Sequence, residues 1–395
     1  NDYNKNIINT WKEFAAEGEK HKINLVLDPK KVQTKKSLLN YLIPQTQKKL
    51  KVVFLYPREP KTSAWLYSHE LGRMYLDETF SDKLETEYVA GVDENNVEQV
   101  LEDIIKAGAD IIFCVGPQMM PNSLKVAVEH PEVYILNCSL NAPHPYIRTY
   151  YGRMYEAKFL AGMIAGAVTD NERVAYIADY PIYGMIANIN AFALGVASVN
   201  PRAKVYLAWS KTKDYDRNKF LTENDLHYVS DQDIITPNDA SRYFGLYKLQ
   251  DGQALNLAMP IWNWGVFYEK LLQSVLAGSY KAEGQEQVKA LNYWWGMFAG
   301  VIDLICSKHV PYGVKRLADH LKSDITKGEV VPFFGQIYDQ KGELKNKGEH
   351  EMKPSDIMKM DWLVDNVVGS IPPMSEFVDN AKMVVELKGV EENKL

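Results

Sequence analysis

Strand-like apolar runs alternate with stretches of helical apolar spacing over most of the chain. The run KLKVVFLYP (49–57) has the length of a buried strand, and SAWLYSHELGRMYLDETF (63–80) after it repeats apolar residues at helical spacing. The alternation continues through IRTYYG (147–152) and restarts with MYEAKFLAGMIAGAV (154–168). Apolar strands separated by helices form parallel sheets with right-handed crossovers. We therefore predict two α/β lobes, each built on a doubly wound parallel sheet.

The pattern is less regular later in the chain. DLHYVSDQD (225–233) and YFGLYKL (243–249) are predicted to be strands, with little room for a helix before the first. WNWGVFYEKLLQSVLAG (262–278) predicts a helix, and VVPFFGQIYDQKGEL (330–344) predicts a strand or a hairpin that turns at DQKG. The predicted organisation is a helical extension (1–50), the first part of lobe one (51–148), the first part of lobe two (149–257), a return segment of lobe one (258–300) and the C-terminal part of lobe two (301–395).

Composition and charge are those of an ordinary globular protein. The 395 residues are 46% hydrophobic and 24% charged, with a net charge of −6. Scattered lysines and an acidic balance argue against electrostatic capture of nucleic acid or of an anionic membrane surface. The longest apolar runs, such as FLAGMIAGAV (159–168), are too short to span a bilayer. Because the chain opens at Asn1 rather than Met, we expect it to have been processed or trimmed.

The cysteines and histidines give no sign of a metal site. Cys114, Cys138 and Cys306 are an odd number without a C-x-x-C pair, which argues against both zinc and a disulfide framework. Buried free thiols are the favoured interpretation over a Cys114–Cys138 disulfide. The segment HELGR (69–73) matches only the start of the H-E-x-x-H zinc motif. We therefore predict no metal and no cofactor.

Catalytic motifs are equally sparse. The sequence has no glycine-rich phosphate loop and no G-x-S-x-G nucleophile elbow. The segment DQD (231–233) offers two carboxylates at a predicted strand end, where general acid–base chemistry is an alternative to the favoured reading as a solvated loop or hinge. We predict that the protein is not an enzyme and that none of its residues is catalytic.

Aromatic residues, by contrast, follow several predicted strands. Ligands of open parallel sheets bind outside the carboxyl ends of the strands. A single aromatic residue at such a place more often packs in a core or hinge, but several at the rim of one cleft favour a flat, stacking ligand. These residues are Trp65, Tyr180, Tyr183, Trp209, Tyr247 and, in PIWNWG (260–265), Trp262 and Trp264.

Several stretches, in this order, also match a known family. They are AWLYSHELGR (64–73), RMYEAKFLAGMIAG (153–166), INAFALGVASVNP (189–201), PIWNWGVFYEKLLQSVLAGSY (260–280), GVIDL (300–304) and MDWLVDNVVGSIP (360–372). In them the chain resembles the basic membrane protein family, the purine-nucleoside-receptor-like substrate-binding proteins of bacterial ABC importers. The resemblance covers about residues 51–372, implies a type I periplasmic-binding fold, and is strongest to a subgroup in which some members bind adenine.

The resemblance assigns roles to individual positions. It implies that Trp65 stacks on one face of a purine and that Asn188 stands where relatives place the opposite stacking aromatic residue. Tyr247 and Trp262 stand where nucleoside-binding relatives hold a ribose-binding Asp and Lys. Pro121 or Asn122 replaces the acidic residue that reads the base.

Ribose hydroxyls need polar partners, and each one buried without a partner costs about 1–3 kcal/mol. These replacements therefore favour a free purine base, adenine-like, or a related small heteroaromatic ligand over a nucleoside. The predicted ligand-binding residues are Ser63, Trp65, Met119, Asn122, Tyr180, Tyr183, Asn188, Asp231, Tyr247 and Trp262.

The family resemblance also implies how such a protein works. We expect an extracytoplasmic binding protein that closes on its ligand and delivers it to an ABC permease, with no nucleic-acid partner. Contact with the membrane is expected only through a lipoprotein or other N-terminal anchor outside this chain. Two alternatives stay open: a membrane-tethered sensor that signals through residues 1–50, and an enzyme that acts on a heterocycle through Asp231 or Asp233.

Overall fold

A computed structural model describes residues 48–233, 241–277 and 292–382. Residues 1–47 of the predicted helical extension lie outside these ranges. No helix in the described part of the chain is long and apolar enough to cross a membrane.

The described residues form alternating strands and helices, as the apolar pattern predicts. In chain order the strands are β1 (Leu50–Tyr56), β2 (Leu84–Ala90), β3 (Ile111–Cys114), β4 (Tyr134–Cys138), β5 (Ile147–Gly152), β6 (Arg173–Ala178), β7 (Lys204–Trp209), β8 (Tyr228–Ser230), β9 (Leu246–Gln250), β10 (Gln253–Trp262), β11 (Tyr293–Trp295), β12 (Ile302–Cys306), β13 (Gln336–Tyr338), β14 (Leu344–Lys347) and β15 (Val367–Val368). The helices are α1 (Ala64–Thr79), α2 (Val97–Lys106), α3 (Met120–Glu129), α4 (Met154–Val168), α5 (Met185–Val199), α6 (Arg217–Glu223), α7 (Trp264–Leu276), α8 (Tyr312–Lys327) and α9 (Pro354–Met358).

Lobe one is built on a fully parallel sheet, as predicted. Its strand order is β11-β5-β4-β3-β1-β2, and every neighbouring pair is parallel. Five consecutive residues of β1 are buried because helices cover both faces of the sheet. In the middle of the sheet Phe54 pairs with Phe113 on one side and with Tyr88 on the other.

Lobe two has a mixed sheet, which corrects the prediction of a second wholly parallel one. Its order is β12-β10-β9-β8-β6-β7-β15, and the pairs β8–β9, β9–β10 and β10–β12 are antiparallel. For β9–β10 the reason is local: Asp251 and Gly252, both with positive φ, join the two strands by a turn too short for a parallel crossover. Helix α6 occupies the segment before β8 in which a helix was not expected, whereas the predicted hairpin is confirmed as β13–β14.

The chain crosses between the sheets at three places that are hydrogen-bonded to one another. The crossings are β5 to α4, β10 to α7, and β11 to β12. Strand β11 pairs with β5, and the Arg153 amide donates to the Trp295 carbonyl at 2.8 Å. Strand β10 pairs with β12, and the Asn263 amide donates to the Val301 carbonyl at 2.8 Å. We call these hydrogen-bonded crossing segments the interlobe ribbon.

Helices α4 and α5 form the centre of lobe two and approach each other closely. Nearly every residue of α4 is buried. A Cβ atom on Gly162 would collide with the Phe192 carbonyl, and one on Gly195 would collide with the Phe159 carbonyl. The two backbones are therefore in direct contact, which only glycine at these positions permits.

A layer of aromatic and polar side chains fills lobe one between α1 and α7. His69 stacks on Trp264 with ring centroids 4.2 Å apart, and its Nδ1 lies 2.6 Å from the Tyr268 hydroxyl. The Tyr268 hydroxyl is in turn 3.1 Å from that of Tyr150. Burial lowers the pKa of His69 well below its usual value, so the ring is neutral at physiological pH.

The three cysteines are buried and free, which confirms the prediction of buried thiols. Burial raises the pKa of the Cys114 thiol to about 12, with a weaker opposing effect of a hydrogen bond to Ser123. This thiol is therefore protonated and unreactive at neutral pH.

Replacing Gly162 with alanine should destabilise lobe two. The added methyl has no room against the Phe192 carbonyl, so we expect a loss of about 2–3 kcal/mol in the free energy of unfolding. Gly313→Ala is the matched control, because a Cβ there meets open space. Urea unfolding measures both variants, and equal stabilities for the two would contradict the close helix contact.

Replacing His69 should flatten the loss of stability in acid. The folded-state pKa of His69 is lowered, so below about pH 6.5 the unfolded chain takes up the proton first, and stability falls by up to about 1.4 kcal/mol per pH unit. His69→Gln is expected to remove this slope between pH 7.5 and 5.5. His350→Gln, at an exposed position, should keep the wild-type slope in the same urea titrations. An unchanged slope in His69→Gln would show that the ring titrates freely.

Candidate functional site

The loops after β1 and β6 carry predicted site residues of lobe one and lobe two, respectively. After β1, Ser63 caps helix α1 by accepting the Leu66 amide at 3.4 Å, which places Trp65 in the first turn. After β6, the half-buried Tyr180 precedes helix α5. Burial and Asp179 raise the pKa of Tyr180, and the charge of Arg58 from the opposite loop acts against them. Loops of the two lobes are close, since a Cβ atom on Gly184, after β6, would lie 3.2 Å from the Leu140 side chain, after β4.

Trp65, Tyr151 and Trp262 form a half-buried group that we call the aromatic cluster. Trp65 stacks on Tyr151 with centroids 5.5 Å apart and meets the Trp262 ring edge-on at 5.1 Å. Tyr151 and Trp262 are also edge-on, at 5.9 Å. Gly152 makes room for this group, since a Cβ atom there would lie 2.6 Å from the Trp262 ring. The cluster therefore sits at the interlobe ribbon, where both lobes meet.

The two tryptophans of PIWNWG have different positions. Trp262 ends β10 in the aromatic cluster, whereas Trp264 begins α7 and is only 1% exposed. Their rings are nearly parallel, at 7° and 5.4 Å. Trp264 lies between Trp262 and the buried His69, so it supports Trp262 from inside lobe one.

Lobe two contains a buried ion pair between helix α4 and the segment after β8. Lys158, which is 2% exposed, donates its Nζ to Asp233. Burial alone would lower the pKa of Lys158, but Asp233 and Tyr176 outweigh it and raise the pKa. Burial raises the pKa of Tyr151, with contributions from Cys138 and from Asp233. The two charges of this pair therefore compensate each other.

The structure brings Asp231 and Tyr247, two of the predicted site residues, into contact. The Tyr247 hydroxyl donates to the Asp231 carboxylate at 2.8 Å and accepts a hydrogen bond from Arg217. The Arg217 guanidinium lies 3.7 Å from the centre of the Tyr243 ring. Burial raises the pKa of Asp231 in spite of hydrogen bonds from the Gln232 amide and Tyr247 and the charge of Arg217. The Tyr247 hydroxyl thus already has both a donor and an acceptor partner.

The remaining predicted residues are spread over both lobes. Tyr183 and Asn188 are half-buried near the start of α5. Met119 is buried in the lobe-one core with Cys114 and Val126. Asn122 is exposed and donates its side-chain amide to the Glu94 carbonyl.

Sequence reasoning missed Tyr151 and Lys158. Strand β5 carries two adjacent tyrosines, and periodicity alone does not reveal which one faces the cleft. Lys158 did carry a signal, because it is a cation inside the apolar run MYEAKFLAGMIAG (154–166). A charge on a helix that is apolar all round requires a buried partner.

The arrangement offers flat apolar surfaces and a small number of paired charges. Within residues 48–233, 241–277 and 292–382, no group of three His, Cys, Asp or Glu side chains could hold a metal ion. Aromatic faces with a few fixed polar groups are typical of sites that bind small planar molecules.

Comparisons with known proteins identify similar binding proteins. A family model described as "ABC transporter substrate-binding protein PnrA-like" matches residues 49–242. A purine-binding protein of Brucella abortus is 28% identical over 340 residues, covering 82% of this chain and 95% of that protein. A putative ABC transporter glucose-binding protein of Haloferax volcanii is 29% identical over 271 residues, covering 65% of this chain and 67% of that protein.

A solved structure supports the fold. The solute-binding protein of an ABC transporter system from Conexibacter woesei has a TM-score of 0.52 at 16% identity, covering 71% of this chain and 98% of that chain. The predicted periplasmic-binding type of α/β fold is confirmed.

Proposed function

This chain belongs to the PnrA-like family of ABC transporter substrate-binding proteins, and from that premise we propose that it captures a purine base, adenine-like, or a closely related heteroaromatic molecule in the cleft between its lobes. The observation that carries the proposal is the aromatic cluster of Trp65, Tyr151 and Trp262 at the interlobe ribbon. Flat rings pack well on such surfaces. A sugar would present hydroxyls on most of its edges, and each of them needs a polar partner.

We expect the base to lie against Trp65. Tyr151 covers one face of the Trp65 indole, so a planar ligand would pack on the opposite face, next to Trp262. A purine edge also carries hydrogen-bond donors and acceptors. Asp233, whose side chain is 19% exposed, stands on the lobe-two side and would accept from an exocyclic amino group.

The same residues disfavour a ribose. The Tyr247 hydroxyl is already paired with Asp231 and Arg217, so it is not available to a sugar hydroxyl. Trp262 adds a bulky apolar ring where a sugar would need hydrogen-bonding groups. A nucleoside would therefore bury hydroxyls without partners.

Substrate-binding proteins of this family are extracytoplasmic. We infer that bending at the interlobe ribbon closes the lobes over the base and that the closed form delivers it to an ABC permease. An N-terminal lipid or other anchor would hold the protein at the membrane. No covalent step is needed for this role.

Calorimetric titration should separate bases from nucleosides. We expect adenine to bind at least about tenfold more tightly than adenosine, since each unpaired ribose hydroxyl costs about 1–3 kcal/mol. Guanine with guanosine, and hypoxanthine with inosine, give matched pairs, and glucose tests the sugar alternative. Tighter binding of any nucleoside than of every base would overturn the proposed ligand.

Replacing Trp65 with alanine should abolish stabilisation by the ligand. A ligand that binds only the folded state at about 100 times its Kd adds about 2.7 kcal/mol of stability and raises Tm. We expect this shift for the wild type with adenine and none for Trp65→Ala at the same concentration. Tyr312→Ala removes an aromatic ring that is 76% exposed and serves as the control. A full shift in Trp65→Ala would place the ligand elsewhere.

A further inference from the structure

A second cavity, of about 340 Å³, lies where the chain enters lobe two. Its wall comes from the start of α4, from β11 and the turn after it, from the end of α8 with the segment behind it, and from residues 351–357. The aromatic cluster is not part of this wall. The volume lies in the range of small-molecule sites.

Arg153 presents an incompletely paired guanidinium to this cavity. It lies over the Trp294 ring at 5.2 Å and the Phe298 ring at 5.9 Å. Its Nε is buried without a hydrogen-bond partner among the described residues. The Nη1–Oε1 distance to Glu156 is 3.9 Å, which is too long for a hydrogen bond. A guanidinium that lies over aromatic rings and has unpaired donors is suited to a carboxylate.

Glu156 provides the opposite charge beside it. The side chain is buried, and its Oε2 accepts the Met297 amide at 2.7 Å. Gly296 leaves room for this carboxyl, because a Cβ atom there would collide with it. Burial raises the pKa of Glu156 to about 7, against the Met297 hydrogen bond and Arg153. A cationic ligand group would relieve part of that desolvation.

The rest of the wall has an apolar part and three further polar residues, Thr326, Lys327 and Glu351. The apolar part includes Ile325, Val330, Met352 and Ile357. Phe298, which is 55% exposed, stands at its rim. The cavity therefore combines the Arg153–Glu156 pair, which carries both signs of charge, with an apolar part that we call its apolar body.

We propose that this cavity is a second ligand site, separate from the interlobe cleft, and that it binds an apolar α-amino acid. The ligand carboxylate pairs with Arg153 and its ammonium pairs with Glu156, while the side chain fills the apolar body. The ammonium and carboxylate groups of an α-amino acid are attached to the same carbon atom. This spacing matches the neighbouring guanidinium and carboxyl groups in the wall. A simple anion would face Glu156, and a simple amine would face Arg153, so neither matches both groups.

Titration calorimetry on the full chain tests the class of ligand. L-leucine is the probe, with 4-methylpentanoate and 3-methylbutylamine as analogues that each lack one charged group. We expect saturable binding of L-leucine and at least about tenfold weaker binding of each analogue. The proposal is overturned if none of L-leucine, L-methionine and L-phenylalanine binds saturably, or if either analogue binds as tightly as L-leucine.

Variants test the location. Arg153→Met removes the carboxylate partner, and Val331→Phe fills the cavity; each should weaken L-leucine binding at least about tenfold. Val128→Phe makes the same change at an exposed position elsewhere and should leave binding unchanged. Circular dichroism and urea midpoints establish that the variants fold. Wild-type affinity in folded Val331→Phe would overturn the assignment.

Trp65→Ala separates this proposal from that of the purine site. It should retain full L-leucine affinity, because Trp65 does not line this cavity. Loss of L-leucine binding in folded Trp65→Ala would place the amino acid in the interlobe cleft and contradict a second site. Absence of purine binding would leave the expected L-leucine result unchanged.

Discussion

The close packing of helix α1 on helix α7 determines where the lobe-one side chains of the cleft lie. Two glycines permit it: a Cβ on Gly72 would lie 2.9 Å from the Cβ of Trp264, and one on Gly265 would lie 2.5 Å from the Tyr75 ring. Because the helix backbones come so near, the Trp264 indole rests on His69 and in turn supports Trp262. The surface offered to a planar ligand is thus fixed by helices and strand ends rather than by loops, which favours preorganised binding.

The sequence was sufficient for most of the architecture because apolar periodicity reports burial directly. It predicted the parallel sheet of lobe one and the position of Trp65 and Trp262 at strand or helix ends. It could not predict the antiparallel part of lobe two, since a short run of apolar residues looks alike in either strand direction. The Lys158–Asp233 pair was also beyond local reading, because its members are 75 positions apart in the chain.

The two candidate sites differ in how closely their charged side chains are paired. At the proposed purine site, Lys158 and Asp233 are hydrogen-bonded to each other and compensate each other's charge. The aromatic surfaces therefore provide most of the contact with the ligand. At the second cavity, Arg153 and Glu156 stand 3.9 Å apart and are only loosely coupled. Glu156 is buried whereas the Arg153 side chain is 33% exposed, so the carboxyl retains much of its desolvation cost, and a ligand that supplies the missing contacts offsets it. The protein thereby has one environment suited to an uncharged planar ligand and another suited to a zwitterion.

The interlobe ribbon has a mechanical consequence. Its crossings are joined edge to edge by backbone hydrogen bonds, from Arg153 to Trp295 and from Asn263 to Val301. A single crossing strand would allow one lobe to rotate freely relative to the other. Crossing segments that are hydrogen-bonded side by side bend more easily than they twist. The lobes therefore close mainly by one hinge-bending motion. Because the relative orientation of the lobes is already restricted in the open form, less orientational entropy is lost on closure. More of the contact free energy with the ligand is then available as affinity.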